Sequence, residues 1–470
     1  MIHEGFNPDF PAEIRQQVTQ LRLRPAAEPQ DDIQDLRALP WSSIDNDTSR
    51  DLDQIEVAEP AAAGTRIRIG IADVTAMVEK GTPIDRHAAQ ETTSVYTAVR
   101  TFPMLPEELS TDMTSLNENQ DRPAVVIEFV VGSGGAITSP KIYRAWVRNK
   151  AQLTYNAVGP WLEGKGPVPA KLAGAQWQAQ VKLQDAAAHA LRAQRSRLGA
   201  LNFDRVEAVP VITDGHVDAI VARPKNRASD LIEDFMVAAN EVMAETLKNA
   251  GVSSIQRVVK TPERWPRIVE LAKNYGESLP TEPDSGALNA FLQKRRAADP
   301  VHYPDLSLGV MKLMGPGEYV MARPGGPEPG HFGLAAHDYT HSTAPNRRFA
   351  DMVVQRLVKS VLNPGHPPPY ADEDLTAIAR NCTLKESAAR KVERSMGKRV
   401  AALAVRNKIG QAFDAVVTGV TPKGTFVRVL TPPIEGRLTH GEQGVDVGDR
   451  LRVTLLSADP QRGFIDFGRA

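Results

Sequence analysis

Four carboxylates within nine residues, Asp45-Asn46-Asp47-Thr48-Ser49-Arg50-Asp51-Leu52-Asp53, constrain this chain more than any other stretch of it. Such a cluster repels itself unless a cation holds it together. With a period of two, Leu52–Val57 reads as a strand with Asp51, Asp53 and Ile55 on one face, and Asp45 folds back from the preceding loop. Oxygen-only ligands at this density suit Mg²⁺ or Mn²⁺ rather than zinc. Counted from Asp45, the spacing nearly makes a calcium EF-hand loop, but Arg50 stands where the sharp turn needs glycine. The flanks, Leu39-Pro40-Trp41 and Val57-Ala58-Glu59-Pro60, do not read as paired helices. A merely solvated acidic loop is the plain alternative.

At 470 residues the chain can bury a large core and has room for two domains or more. The single cysteine, Cys382, excludes an intramolecular disulfide and fits a reducing cytoplasm. No run of eighteen apolar residues marks a membrane span, and the start Met1-Ile2-His3-Glu4-Gly5 lacks the features of a signal peptide. The expectation is a soluble cytoplasmic protein with no membrane partner.

A net charge of −1 argues against a uniformly basic nucleic-acid coat, but the charge is unevenly placed. Residues 27–60 hold ten Asp/Glu against Arg37 and Arg50, while residues 380–410 hold nine Lys/Arg against Glu386 and Glu393. An acidic pocket that needs metal and a basic surface that needs a polyanion separate in this way. The plain alternative for the basic stretch is one solvated helix face.

Residues 1–40 read as a short helical and irregular lead-in broken by Pro11, Pro25 and Pro29. Strand-like runs follow at 65–78, 124–131 and 138–158. From about 175 the pattern turns helical, with Leu231, Phe235, Val242 and Leu247 on one face. A further helix is expected from Pro345 to Leu362, with Thr343 as its cap; segments 315–330 and 364–369 read as loops. Arg347 and Arg348 would then sit in a first turn, where the macrodipole favours anions, so a bound phosphate would satisfy them. The alternative is an Arg347–Asp351 pair with Arg348 in solvent.

Five ordered blocks now stand out: SSIDNDTSRDLDQ (42–54), GIADVTAMVEKG (70–81), TSVYTAVRTFPMLPEELS (93–110), LIEDFMVAANE (231–241) and HFGLAAHDYTHSTAPNRRFADMVVQRL (331–357). Together they closely resemble the ribonuclease II / ribonuclease R family of RNA exonucleases. The resemblance implies a mixed α/β catalytic core at 41–405. The last sixty residues, with strand-and-turn spacing from Gly410 to Leu451, resemble an S1 domain, a five-stranded OB barrel at 409–470. The fold class is therefore α+β, an α/β core followed by an all-β barrel.

The resemblance also implies an activity: hydrolysis of single-stranded RNA from the 3′ end to 5′-monophosphates, assisted by Mg²⁺ or Mn²⁺. The family's acidic signature falls on Asp45, Asp51 and Asp53 as metal ligands, but its fourth aspartate is Gln54 here, a weaker and neutral ligand. Arg347 falls on the catalytic arginine, with Arg348 as a positioning group. Tyr96 and Phe203 would clamp terminal nucleotides, Tyr155 would stack near the 3′ end, and Glu233, or else Asp234, would reach a ribose hydroxyl. Glu393 matches a position near the site, and Phe426 would be the exposed stacking residue of the barrel. For each aromatic residue the alternative is core packing. Longer family members carry cold-shock domains ahead of the core, for which residues 1–40 leave no room, so a weaker grip on long RNA is expected. The competing class is a non-catalytic RNA-binding protein on a lapsed nuclease, motivated by Gln54.

Overall fold

The computed structural model describes all residues except 25–32, 205, 301, 328, 329, 364 and 366. The expected breakers Pro25 and Pro29 fall outside the described residues, as do Glu28, Asp31 and Asp32 of the acidic stretch and parts of the loops expected at 315–330 and 364–369.

A seven-stranded mixed sheet forms the centre, in the order Gln34–Asp35, Ile137–Arg148, Asp121–Val131, Gly64–Ala72, Gln54–Ala61, Ser42–Asp45, Ala151–Thr154. Its strands are apolar because both faces are covered: Ile55, Ile67, Ile69, Ile71, Val125 and Ile127 are all fully buried. The helices Arg227–Asn249 and Phe349–Leu362 pack into the same core. On the first of these, Leu231, Phe235, Val242 and Leu247 are buried, as the helical period requires. The helix Ala12–Leu23, opened by Pro11, contributes Ile14, Val18 and Leu21 to that core, so the lead-in is part of it.

The C-terminal residues close into a five-stranded barrel, Ala412–Thr421, Gly424–Val429, Ile434–His440, Arg450–Asp459 and Phe464–Arg469. The barrel does not hang free. Its core runs into Val400 and Val405 of the 34-residue helix Asp372–Val405 and into Ile220. Arg428 pairs with Asp305, and Lys312 Nζ lies 3.3 Å from Glu435 Oε1.

Several local expectations are corrected. The strand expected at 65–78 ends at Ala72, and that at 138–158 gives way at Tyr155 to a helix, Tyr155–Leu162. The helical region from 175 is interrupted by a hairpin, Val206–Thr213 with His216–Pro224. The helix expected from Pro345 begins at Phe349, so neither arginine lies in its first turn and Thr343 does not cap it. Tertiary bonds hold 344–348 instead: the Ala344 N–H donates to Asp351 Oδ1 and the Ser94 N–H to the Arg347 carbonyl.

Candidate active site

The carboxylates of the opening motif sit in the connection between two strands rather than on one. Asp45 ends Ser42–Asp45, and the next strand starts at Gln54, after Asp51 and Asp53. The segment is pinned from elsewhere in the chain. The Leu52 N–H donates to Ser115 Oγ at 2.9 Å, and Asp53 Oδ1 accepts the Asn346 N–H at 2.9 Å. Sheet flanks replace the paired helices of an EF-hand.

Asp45, Asp51 and Asp53 all line one cavity of about 1470 Å³. Burial pushes the Asp53 carboxyl up to about 7, against the pull of the Arg347 guanidinium, whose Nε lies 3.6 Å from Asp53 Oδ2. That Oδ2 is buried and accepts no hydrogen bond. Burial also raises Asp45, although Asn46 N–H and Ser49 Oγ donate to its Oδ1 at 2.7 and 2.9 Å. Asp51 Oδ2 accepts the Tyr96 hydroxyl at 2.8 Å.

The donor set fits a hard divalent cation: carboxylate oxygens only, one of them buried without a partner, beside carboxyls that burial makes costly to ionise. Among the described residues no three His, Cys, Asp or Glu side chains form a ready cage. Such an ion would therefore draw further ligands from water and substrate, as Mg²⁺ commonly does.

The other predicted residues divide. Tyr96 is 40% exposed in the cavity wall, and its N–H donates to Glu393 Oε1 at 2.9 Å, so Glu393 holds the short strand Val95–Tyr96 to the long helix. Tyr155, half-buried, lines the same wall. Arg348 does not: Nε and Nη2 donate to Asp351 at 2.9 and 2.7 Å, which corrects both the phosphate role and the alternative Arg347–Asp351 pair. Phe203 is not brought to the cavity. It packs against the apolar cluster around Trp265 and Phe291, although the next residue, Asp204, lines the wall. Glu233 pairs with Lys225, and its neighbours Ile232 and Met236 face the cavity in its place. Asp234 is consumed by Arg192 and Arg195 in the interior. Phe426 lies on the outer face of the barrel between the buried Thr425 and Val427, so it is not a core residue. Arg428, two residues on along the same face, reaches the cavity wall.

With this geometry in place, the comparisons with known proteins decide the family. The RNB domain model matches residues 33–364 and the RNase II-type exonuclease C-terminal S1 domain model matches residues 411–470. The chain belongs to the RNB family. Among curated relatives, this RNB protein is 30% identical to ribonuclease R of Thermotoga maritima, across 98% of the chain and 68% of that relative. It is 29% identical to ribonuclease R 1 of Lactococcus lactis, across 98% of the chain and 59% of that relative. The chain thus spans about 59% of one and 68% of the other. Its fold is that of Mycoplasma genitalium RNase R solved in complex with ribose-methylated single-stranded RNA, with a TM-score of 0.89 at 22% identity, covering 100% of this chain and 77% of that one.

Three features of the RNB protein's site escape a reading of its sequence. The backbone N–H of Asn346 orients Asp53, and no residue type signals that. Arg428 and Glu435 bring the barrel into the cavity wall from more than 80 residues beyond Arg347. Glu56 is fully buried with both oxygens unpartnered, and burial drives its carboxyl well above the ordinary range, with Asp45 nearby adding to the effect. Its position two residues after Gln54 gives no sign of that interior environment.

Two variants separate the Tyr96 hydroxyl, which donates to Asp51, from the ring that lines the cavity. Tyr96→Phe keeps the ring but removes the donor to Asp51, so Mn²⁺ binding to the RNA-free protein weakens while the final fragment length stays the same. If the ring stacks on a base, a contact worth about 1–3 kcal/mol, Tyr96→Ala is expected to leave longer end fragments of RNA. Digestion to completion on a sequencing gel, beside a thermal melt, checks both; unchanged fragments with a lowered melting temperature in the alanine variant would assign Tyr96 to the core.

Proposed function

We propose that this chain is a cytoplasmic 3′→5′ exoribonuclease that hydrolyses single-stranded RNA to 5′-nucleoside monophosphates with the help of Mg²⁺ or Mn²⁺. The observation that carries the reading is one cavity lined at once by Asp45, Asp51, Asp53, Arg347 and Tyr96 and by Arg428 and Glu435 of the barrel. A divalent ion held by Asp45, Asp51 and Asp53 would supply charge neutralisation and an activated water for in-line attack. Arg347, beside Asp53, stands where it offsets charge growing on the phosphoryl oxygens. Tyr96 and Tyr155 offer aromatic faces that accept any base, which suits an enzyme indifferent to sequence. Core and barrel residues line this one cavity together, which favours a single strand held along it over attack within a duplex.

Incubation of the purified chain with 5′-labelled oligo(A) and Mg²⁺ or Mn²⁺ tests this. Progressive shortening of the labelled strand to a short limit is expected. Tight RNA binding without shortening under either ion would favour the non-catalytic reading. Gln54 bears on that choice: it lines the cavity and its Nε2 donates to the Ile44 carbonyl at 3.3 Å. Gln54→Asp adds a charged oxygen at 6% exposure. It should lower the Mg²⁺ concentration giving half-maximal activity and, with no metal, lower the melting temperature. A superimposable Mg²⁺ titration would place Gln54 away from the ion.

A further inference from the structure

The strand Gln54–Ala61 carries a carboxyl at Glu56, where a strand covered on both faces normally carries an apolar side chain. Side chains alternate along a strand, so Gln54 and Glu56 share a face. Gln54 lines the cavity, and Glu56 lies one step further in, fully buried.

The backbone of Glu56 is held from two sides. Ser42 is its partner on the neighbouring strand, three residues before Asp45, and Gln184 Nε2 of the helix Ala175–Arg197 donates to its carbonyl at 3.4 Å. The side chain is not held in this way. Among the described residues neither of its oxygens has a hydrogen-bond partner, and no cationic side chain acts on it. Ser42 Oγ and Gln184 Oε1, from the two groups that flank it, are also buried without a partner. Four oxygens of three adjoining residues are therefore buried and unsatisfied, which calls for an explanation in each case and most of all for a carboxyl.

Electrostatics place this carboxyl behind the acidic site. After burial, Asp45 is the group that raises it; burial first, then Asp45 and Glu56, raise the Tyr155 hydroxyl in the cavity wall. A neutral amide thus meets the cavity at residue 54, and an unpartnered carboxyl within reach of Asp45 and Tyr155 stands behind it.

We propose that Glu56 is a positioning residue of the cation site, which supplies from behind Asp45 and Gln54 the negative charge that Gln54 lacks. It raises the affinity for a divalent ion without itself lining the cavity. The inference rests on the metal-assisted reading and extends it by one residue of this chain.

Binding of Mn²⁺ to the RNA-free protein at pH 8, read from the EPR signal of the free ion, tests this with no cleavage step. Glu56→Gln keeps the size and removes the charge, and should weaken Mn²⁺ binding by about 10- to 100-fold, the scale of a lost partner behind the ligands. Its melting temperature in EDTA should not fall, because a neutral amide replaces an unpaired buried carboxyl. Glu56→Met, of similar length and without a polar group, should weaken binding as much. Gln54→Asp/Glu56→Gln returns one carboxylate to the same strand face and should recover most of the lost affinity. Glu91→Gln is the control: Glu91 is also buried with an unpartnered oxygen, but its neighbours are Lys385 and the Asn7 N–H rather than the aspartates. It should bind Mn²⁺ as the unaltered protein does. Unchanged Mn²⁺ affinity in Glu56→Gln and Glu56→Met, an equal loss in Glu91→Gln, or a loss that Gln54→Asp does not repair would overturn the role of the Glu56 charge. So would a loss that comes with a lower melting temperature in EDTA in both Glu56 variants, which would assign the residue to packing. Failure of the unaltered protein to bind Mn²⁺ at all would instead defeat the metal-assisted reading, and this inference with it.

Discussion

Asp53→Asn is expected to lower RNA hydrolysis by roughly 10³-fold or more, because several kcal/mol of metal-assisted stabilisation is lost and each 1.36 kcal/mol is a factor of ten. RNA affinity should stay nearly unchanged, since Tyr96, Tyr155 and the basic helix are untouched. The variant should also stabilise the metal-free protein, in a pH-dependent way. The carboxyl rises from its ordinary 3.8 to about 7 in the fold, chiefly through burial. The folded state therefore holds this proton more tightly than the unfolded chain. Stability is fully present below about 4 and is lost as pH rises through 7. Three units correspond to on the order of 4 kcal/mol for this fully buried group. Asparagine keeps an acceptor for the Asn346 N–H and carries no charge, so the melting temperature in EDTA should rise at pH 8 and hardly move at pH 4. Added Mg²⁺ should stabilise the unaltered protein at pH 8 and the variant much less. Retained hydrolysis, or a lower melting temperature in EDTA at pH 8, would falsify this assignment of Asp53.

The parts of this protein that the sequence made legible are those governed by local periodicity. The helix Arg227–Asn249 buries the very face marked by Leu231, Phe235, Val242 and Leu247, and the C-terminal alternation closes into a five-stranded barrel. The hairpin 206–224 was also within reach. Asp214-Gly215 is a hairpin turn dipeptide between alternating runs, and both residues have positive φ, 51° and 78°. The start of the helix at Phe349 was not, because Thr343-Ala344-Pro345 carries the cap and first-turn residues of a helix while bonds from Asp351 and Ser94 hold that backbone in another shape. The carboxylates were legible as a cluster but not in their setting: Asp51 and Asp53 are fixed by Tyr96, Ser115 and Asn346, which lie 45 to nearly 300 residues away. The same limit separates Arg347 from Arg348. They are adjacent in the chain, yet one faces Asp53 and the other is tied to Asp351. Neighbouring side chains in an irregular segment follow tertiary partners, not a period.

Arg347→Ala is expected to lower the cleavage rate by about 10²–10³-fold, the scale of one preorganised electrostatic partner removed from a transition state. It should also move the pH dependence. If Asp53 holds the cation it must give up its proton to do so, so at sub-saturating metal the rate is expected to rise with pH as the ion displaces that proton. The Arg347 guanidinium, 3.6 Å away, pulls that titration down against burial. Without it Asp53 titrates higher, and the rising limb of the pH–rate profile should shift to more alkaline pH. Arg347→Lys retains charge but not the planar fork of donors, so it should restore much of the pH position and little of the rate. Arg348→Lys serves as the contrast, because Arg348 is bound to Asp351 and does not line the cavity. It should lower the melting temperature and leave the pH limb in place. Single-turnover rates from pH 5.5 to 9 for the four proteins, at saturating RNA and sub-saturating metal, measure both effects. A pH limb that does not move in Arg347→Ala would separate the arginine from Asp53 during the reaction, and an equal rate loss in Arg348→Lys would return the arginine assignment to the open pair.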